Sequence, residues 1–232
     1  MTAGSAGRSG LAGPPRHGRF VVLEGIDGSG KSSQLQALAD WLPASGLLPP
    51  GAGLITTREP GGTALGQDLR QLLLHPPGAT APCDTAELLL YAADRAQHVR
   101  QRIQPALEAG HWVLSDRFCG STAAYQGHGR GLSLALIHQL EAIATGGLAA
   151  DLTLWLDLPL TASLRRRGHR AADRIEAAGQ AFLQRVADGF AREAASRGWW
   201  RIDADQPLAA VAAACRAALL QAFPPPPPAG PG

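Results

Sequence analysis

A parallel β-sheet covered by helices on both faces is the fold class this sequence predicts. Five short apolar runs, residues 19–24, 54–57, 112–115, 152–156 and 199–202, are separated by longer segments whose apolar residues recur at helical spacing. That alternation is the pattern of α/β proteins, where each helix carries the chain back to begin another parallel strand. The first run leads into Gly25-Ile26-Asp27-Gly28-Ser29-Gly30-Lys31-Ser32, which matches the phosphate-cradling pattern G-x-x-x-x-G-K-[ST]. The size agrees, since 232 residues that are 45% hydrophobic can bury one substantial core and would be cramped as two.

Taken in order, Arg19-Phe20-Val21-Val22-Leu23-Glu24 is a β-rich run that stops where the glycine loop begins. A helix over 32–42 follows and is closed by Pro43. Loop punctuation at 49–53 precedes the second strand, and a helix spans 63–74. A second punctuated stretch, 76–82, leads to a long helix over 86–109 in which Pro105 is a candidate kink. After the strand at 112–115, helices at 134–145, 175–196 and 207–222 alternate with the last two strands. In such a doubly wound sheet ligands gather at the carboxyl ends of the strands.

The flanks read differently from this body of 19–222. Residues 1–18 are rich in Gly, Ala, Ser, Pro and Arg, with no apolar core for a signal peptide, and are expected to be a disordered arm. Residues 223–232, with Pro at 224–228, are expected to form an extended tail. No stretch approaches transmembrane length. The formal charge of +2 is too mild to argue for nucleic acid or a membrane as partner. Three cysteines without C-x-x-C spacing oppose a disulfide framework and a zinc site, which fits a cytoplasmic protein.

Lys31 is the only lysine, beside 20 arginines. A chain that uses arginine for generic positive charge keeps lysine where a compact ammonium is needed. Successive N–H groups of Gly25, Ile26, Asp27, Gly28, Ser29 and Gly30, with Lys31, Ser32 and Ser33, would cradle the phosphates of ATP, and the Ser32 hydroxyl would ligate Mg²⁺. This is the loop of P-loop NTPases. The lone lysine excludes switch GTPases that read guanine with N-K-x-D, and partition ATPases with two loop lysines. Small-molecule kinases remain, along with ATPases whose partners are proteins.

A nucleotide acceptor would need cations for its phosphate, a flat surface for its base and polar groups for the base edge. Arg58, just after the second strand, could grip a phosphate in bidentate fashion or simply pair with Glu59 on the surface. Tyr91 offers an aromatic face, and Arg95 shares its side of the helix one turn later. Asp116 ends the third strand, the usual place for a carboxylate that holds Mg²⁺, with Arg117 beside it.

Three segments carry a closer likeness: Thr57-Arg58-Glu59-Pro60-Gly61-Gly62-Thr63, Tyr91-Ala92-Ala93-Asp94-Arg95-Ala96-Gln97-His98-Val99, and Asp116-Arg117-Phe118 leading to Ser121-Thr122-Ala123-Ala124-Tyr125-Gln126-Gly127. With Asp173-Arg174-Ile175-Glu176 and residues 150–157, the chain resembles the thymidylate kinases from about 19 to 222, in the family's order. The resemblance implies a nucleoside monophosphate kinase that moves the γ-phosphoryl group of Mg²⁺-ATP to dTMP in dTTP biosynthesis, and a homodimer. It implies that Tyr91 stacks on the base where the family usually has Phe, that Arg95 contacts the base, and that Thr122 and Gln126, with Ser121 nearby, read the thymine edge. Tyr125 would lie near the sugar, and Asp27 would contact the 3′ hydroxyl. Gly28 stands where one branch of the family has arginine, which resembles the branch that supplies its cation from a lid. Arg165-Arg166-Arg167-Gly168-His169-Arg170, within a lid at about 164–175, offers either Arg167 or Arg170 for that role. The rival readings are a kinase of another nucleoside monophosphate and a nucleotide-dependent regulatory protein.

Overall fold

The computed structural model describes residues 18–77, 81–168 and 173–224. Five strands form one sheet, β1 (Phe20–Glu24), β2 (Leu54–Arg58), β3 (Trp112–Asp116), β4 (Leu152–Asp157) and β5 (Trp200–Asp203). Their order is β2-β3-β1-β4-β5 and every pairing is parallel. All five residues of central β1 are buried, as a strand covered on both faces requires.

Alternation along β1 divides the core. Val21 and Leu23 join Leu38 of α1 (Lys31–Trp41) and Leu219 of α9 (Leu208–Ala222) on one face. Phe20 and Val22 point to the other, against Val99, Ile103 and Leu107. Helices α2 (Ala64–Leu74), α3 (Asp84–His98) and α6 (Leu134–Thr145) pack together beside this second face.

Three local readings differ from expectation. The segment at 86–109 is α3, a π-helical turn Val99–Ile103 and α4 (Gln104–Glu108), with Pro105 in the first turn of α4. The wider turn accommodates the proline, which has no N–H to give and whose ring would crowd a regular helix. The expected helix over 175–196 begins only at α8 (Gln180–Arg197), because Gly179 at φ 97 separates it from the turn Glu176–Ala178. Helices α5 (Cys119–Thr122), running into the π-helical segment Ala123–Gly129, and α7 (Leu160–Arg167) are additional to the helices expected from the sequence. The expected N-terminal arm and proline tail lie almost wholly outside the described residues.

Candidate active site

The register Leu23↔Asp116 and Arg58↔Asp116 brings the carboxyl ends of β1, β3 and β2 into one row. The glycine loop leaves β1, the Asp116-Arg117 turn leaves β3, and Arg58 ends β2. One cavity of about 480 Å³ is lined by Lys31, Ser32, Ser33, Arg58, Asp116 and Arg167, among others. A second, adjoining it, is lined by Tyr91, Arg95, Phe118, Thr122, Tyr125 and Gln126, with Ser121 at its edge. Asp27, Glu59, Arg70, Arg117 and Asp173 line both.

In the loop, Lys31 Nζ donates to the carbonyls of Gly25 at 3.1 Å and Ile26 at 2.9 Å. Burial lowers its pKa to about 8, Arg117 adding to the effect and Asp116, Asp27 and Glu24 opposing it. Gly28 has φ 78, and a Cβ there would lie 3.2 Å from the Ser163 carbonyl and 3.4 Å from Arg167 Cγ. Helix α7 therefore runs directly over the loop, and Ser163 Oγ donates to the Asp27 carbonyl at 2.6 Å. The Ile26 side chain belongs to the core, and Ser29 is buried.

Arg117 is the one non-glycine residue among those described with positive φ, at 76, an uncommon conformation found where surroundings over-determine it. Its guanidinium donates to Gly25 O at 3.0 Å, Ser121 Oγ at 2.8 Å and Asp27 Oδ1 at 2.6 Å. Tyr125 Oη donates to the other Asp27 oxygen at 2.8 Å. Burial pushes the Asp27 carboxyl up, but the charges of Arg117 and Lys31, with these hydrogen bonds, outweigh it and hold the group well below the usual carboxylate range. Behind the turn, buried Glu24 accepts from Phe118 N at 2.9 Å, Ser121 N at 3.1 Å and Ser121 Oγ at 2.6 Å. Ser121 thereby links Glu24 to Arg117.

Across the second cavity, Arg95 donates to Glu59 Oε2 at 2.8 Å, Phe118 O at 2.9 Å and Thr122 Oγ1 at 3.0 Å. Gln126 Nε2 donates to Glu87 Oε1 at 2.7 Å, which orients the amide and leaves its oxygen as the free acceptor. Glu87 is also paired with Arg130 and Arg174. Burial raises the pKa of Tyr91, so its ring is a neutral wall. The Arg58 side chain is exposed toward the first cavity, and no hydrogen bond or ion pair engages its guanidinium among the described residues.

Ser32 Oγ donates to Asp116 Oδ2 at 2.7 Å. Two hard oxygen donors at the loop's end fit Mg²⁺, which takes one or two protein oxygens and completes its shell with phosphate and water.

Comparison with known proteins decides the family. The thymidylate kinase family model matches residues 23–214. A thymidylate kinase of Synechococcus sp. (strain RCC307) is 68% identical over 82% of this chain and 90% of its own. One from Prochlorococcus marinus (strain MIT 9313) is 64% identical over 90% of this chain and 96% of its own. The crystal structure of thymidylate kinase from Ehrlichia chaffeensis superposes with a TM-score of 0.70 at 31% identity, covering 88% of this chain and 99% of that one.

The chain belongs to the thymidylate kinase family.

Within this thymidylate kinase fold the residues expected from sequence line the two cavities, except Gly25, Ile26 and Ser29, which lie in the loop but not in either lining, and Arg170, which is outside the described residues. Sequence reading missed Glu24, Glu59, Arg70, Glu87 and Asp173. Arg70 was detectable in principle, as an arginine directly after Leu69 and one turn before Leu73 on the apolar side of α2. Glu24 carried a signal too, a carboxylate closing an otherwise apolar strand.

Proposed function

We propose that the larger cavity receives the triphosphate of ATP, the smaller receives dTMP, and Asp27 and Arg117 serve both. As a thymidylate kinase the chain phosphorylates dTMP to dTDP with ATP as donor, feeding dTTP synthesis. The observation that carries the site assignment is the shared wall, because in-line transfer needs the two phosphates side by side with cations between them.

In this reading the loop amides of 25–32 and Lys31 hold the donor phosphates. Arg58 and Arg117 hold the dTMP phosphate, and an oxygen of that phosphate attacks the γ-phosphorus as ADP leaves, without a covalent enzyme intermediate. Asp27 aims Arg117 and, with Tyr125, faces the sugar. Gln126 offers its amide oxygen to the imide N–H of thymine, Tyr91 stacks on the ring, and Thr122 and Arg95 complete the base edge. Arg167 or Arg170 on the lid offsets charge on the transferring group. Mg²⁺ held by Ser32 and Asp116 would neutralise phosphate charge when bound.

We further propose a homodimer through α2, α3 and α6, which pack together and expose Leu65, Leu72, Leu89, Leu136 and Ile143, the last 78% exposed. Light scattering at an assay concentration checks this by mass. A cytoplasmic location fits three unpaired cysteines and, among the described residues, no helix long and apolar enough to cross a membrane. The catalytic body is taken as 19–222.

The direct test is dTMP turnover by Lys31→Ala and Arg58→Ala. Each folded variant should lose about 10²-fold or more in kcat/KM. Unchanged turnover by either would refute its assigned role.

A further inference from the structure

The α3 motif Asp94-Arg95-Ala96-Gln97-His98 contributes more than Arg95. Asp94 and His98 lie one helical turn apart and face the connection between β2 and α2. Gly61 N donates to Asp94 Oδ1 at 3.0 Å. His98 bridges Thr57 Oγ1 at 2.6 Å and Glu59 Oε1 at 2.9 Å. Asp94 is 1% exposed and His98 0%, so the helix inserts polar groups into this connection at a desolvation cost. The second Asp94 oxygen has no hydrogen-bond partner.

Space is reserved for both side chains. A Cβ at Gly66 would lie 2.4 Å from Asp94 Oδ1, and one at Gly62 would lie 2.4 Å from His98 Nε2. The anchored connection begins at Arg58, and a Cβ at Gly61 would come within 3.7 Å of Arg58 Nε. Arg70 donates to Pro60 O at 3.1 Å, on the same connection. Burial, and then the charge of Arg58, lowers the Arg70 pKa, so Arg58 at the end of β2 and Arg70 in α2 repel across the connection between them. A connection flanked by two mutually repelling arginines needs an anchor from outside itself.

We propose that Asp94 is a positioning residue of the acceptor site: its hydrogen bond to the Gly61 amide fixes the connection that presents Arg58, and thereby sets the affinity for the dTMP phosphate. The inference rests on reading Arg58 as the cation for that phosphate. Asp94 touches no substrate and acts through Gly61.

Steady-state kinetics on the full chain, with dTMP and ATP varied separately, test it. Asp94→Ala should raise the KM for dTMP about tenfold while the KM for ATP stays within about twofold. Asp94→Asn keeps an oxygen for the Gly61 amide and should return the KM for dTMP to within about threefold of wild type. Gly66→Ala removes no functional group but drives a methyl against Asp94 Oδ1, and should reproduce the effect of Asp94→Ala; alanine suits the α2 interior, so this variant serves if Asp94→Ala fails to fold. The proposal is overturned if Asp94→Ala or Gly66→Ala leaves the KM for dTMP unchanged, if both KM values rise together, or if Asn is as damaging as Ala. Arg58→Ala separates the two levels. A wild-type KM for dTMP in that variant would remove the underlying site reading, whereas a raised KM there with no effect at Asp94 and Gly66 would remove this inference alone.

Discussion

Arg117 and Asp27, 90 residues apart, are joined by a 2.6 Å charge-assisted hydrogen bond, and both residues line both cavities. The bond fixes a strained arginine at the end of β3 to the phosphate loop at the end of β1. It also explains an acidic residue inside an anion-binding loop, since the Asp27 charge is committed to Arg117 and Tyr125.

Asp27→Ala should therefore cost stability as well as catalysis. Removing a partner of a charge-assisted bond costs about 1.5–3 kcal/mol, and the lower half of that range applies because Asp27 is 30% exposed. A drop in Tm of roughly 3–9 °C is expected, along with a loss of about 10²-fold or more in kcat/KM for dTMP. Calorimetry and initial rates on the same preparation measure both.

Lys31 makes the reaction sensitive to alkali. Its folded pKa of about 8 lies below the ordinary lysine value, so the ammonium is present below pH 8 and is lost as pH rises through it. The sign for stability is the reverse. Charged Lys31 costs folding free energy at pH below 8, and that cost is relieved between about 8 and the ordinary lysine value near 10.4. The kcat/KM for ATP, which reports the free enzyme, should fall about tenfold per unit above pH 8. A profile flat to pH 10 would contradict the assignment.

Gly28→Ala should loosen the contact between the glycine loop and α7. Its φ of 78 imposes about 1–2 kcal/mol on any side chain, and the new methyl meets the Ser163 carbonyl. The KM for ATP should rise several-fold more than the KM for dTMP, with a Tm loss of roughly 2–8 °C. Equal changes in the two KM values would argue against α7 as a donor-side element.

Gln126→Leu should weaken base selection. It removes the acceptor that Glu87 orients, a loss of about 1–3 kcal/mol, so kcat/KM for dTMP should fall roughly 10- to 100-fold. Because dCMP has no imide N–H to donate, its turnover should change less, and the ratio of the two rates is the readout.

Most of the chemistry was legible because it sits in contiguous segments at strand ends. Lys31 and Ser32 follow β1, Arg58 ends β2, and Asp116 with Arg117 leaves β3, so local pattern and position in the sheet coincide. Glu87 and Asp94 were not legible, since they act through partners 87 and 33 residues away and that spacing leaves no local trace. The short helix α7 was hidden by its three arginines, which read as the start of a lid, although they are its last turn. The start of α8 was misplaced because apolar spacing continues through Gly179, whose positive φ interrupts the helix.

Transfer of a phosphoryl group from ATP to dTMP in preference to other monophosphates is what the proposed pair of cavities must deliver. The most direct measurement is kcat/KM for dTMP, dUMP, dCMP and dGMP with ATP on the wild-type chain. Turnover of dTMP should come first, ahead of dUMP by roughly 10- to 200-fold, the range one methyl group provides, and ahead of dCMP and dGMP by more. A rate for dUMP, dCMP or dGMP equal to or above that for dTMP would contradict it.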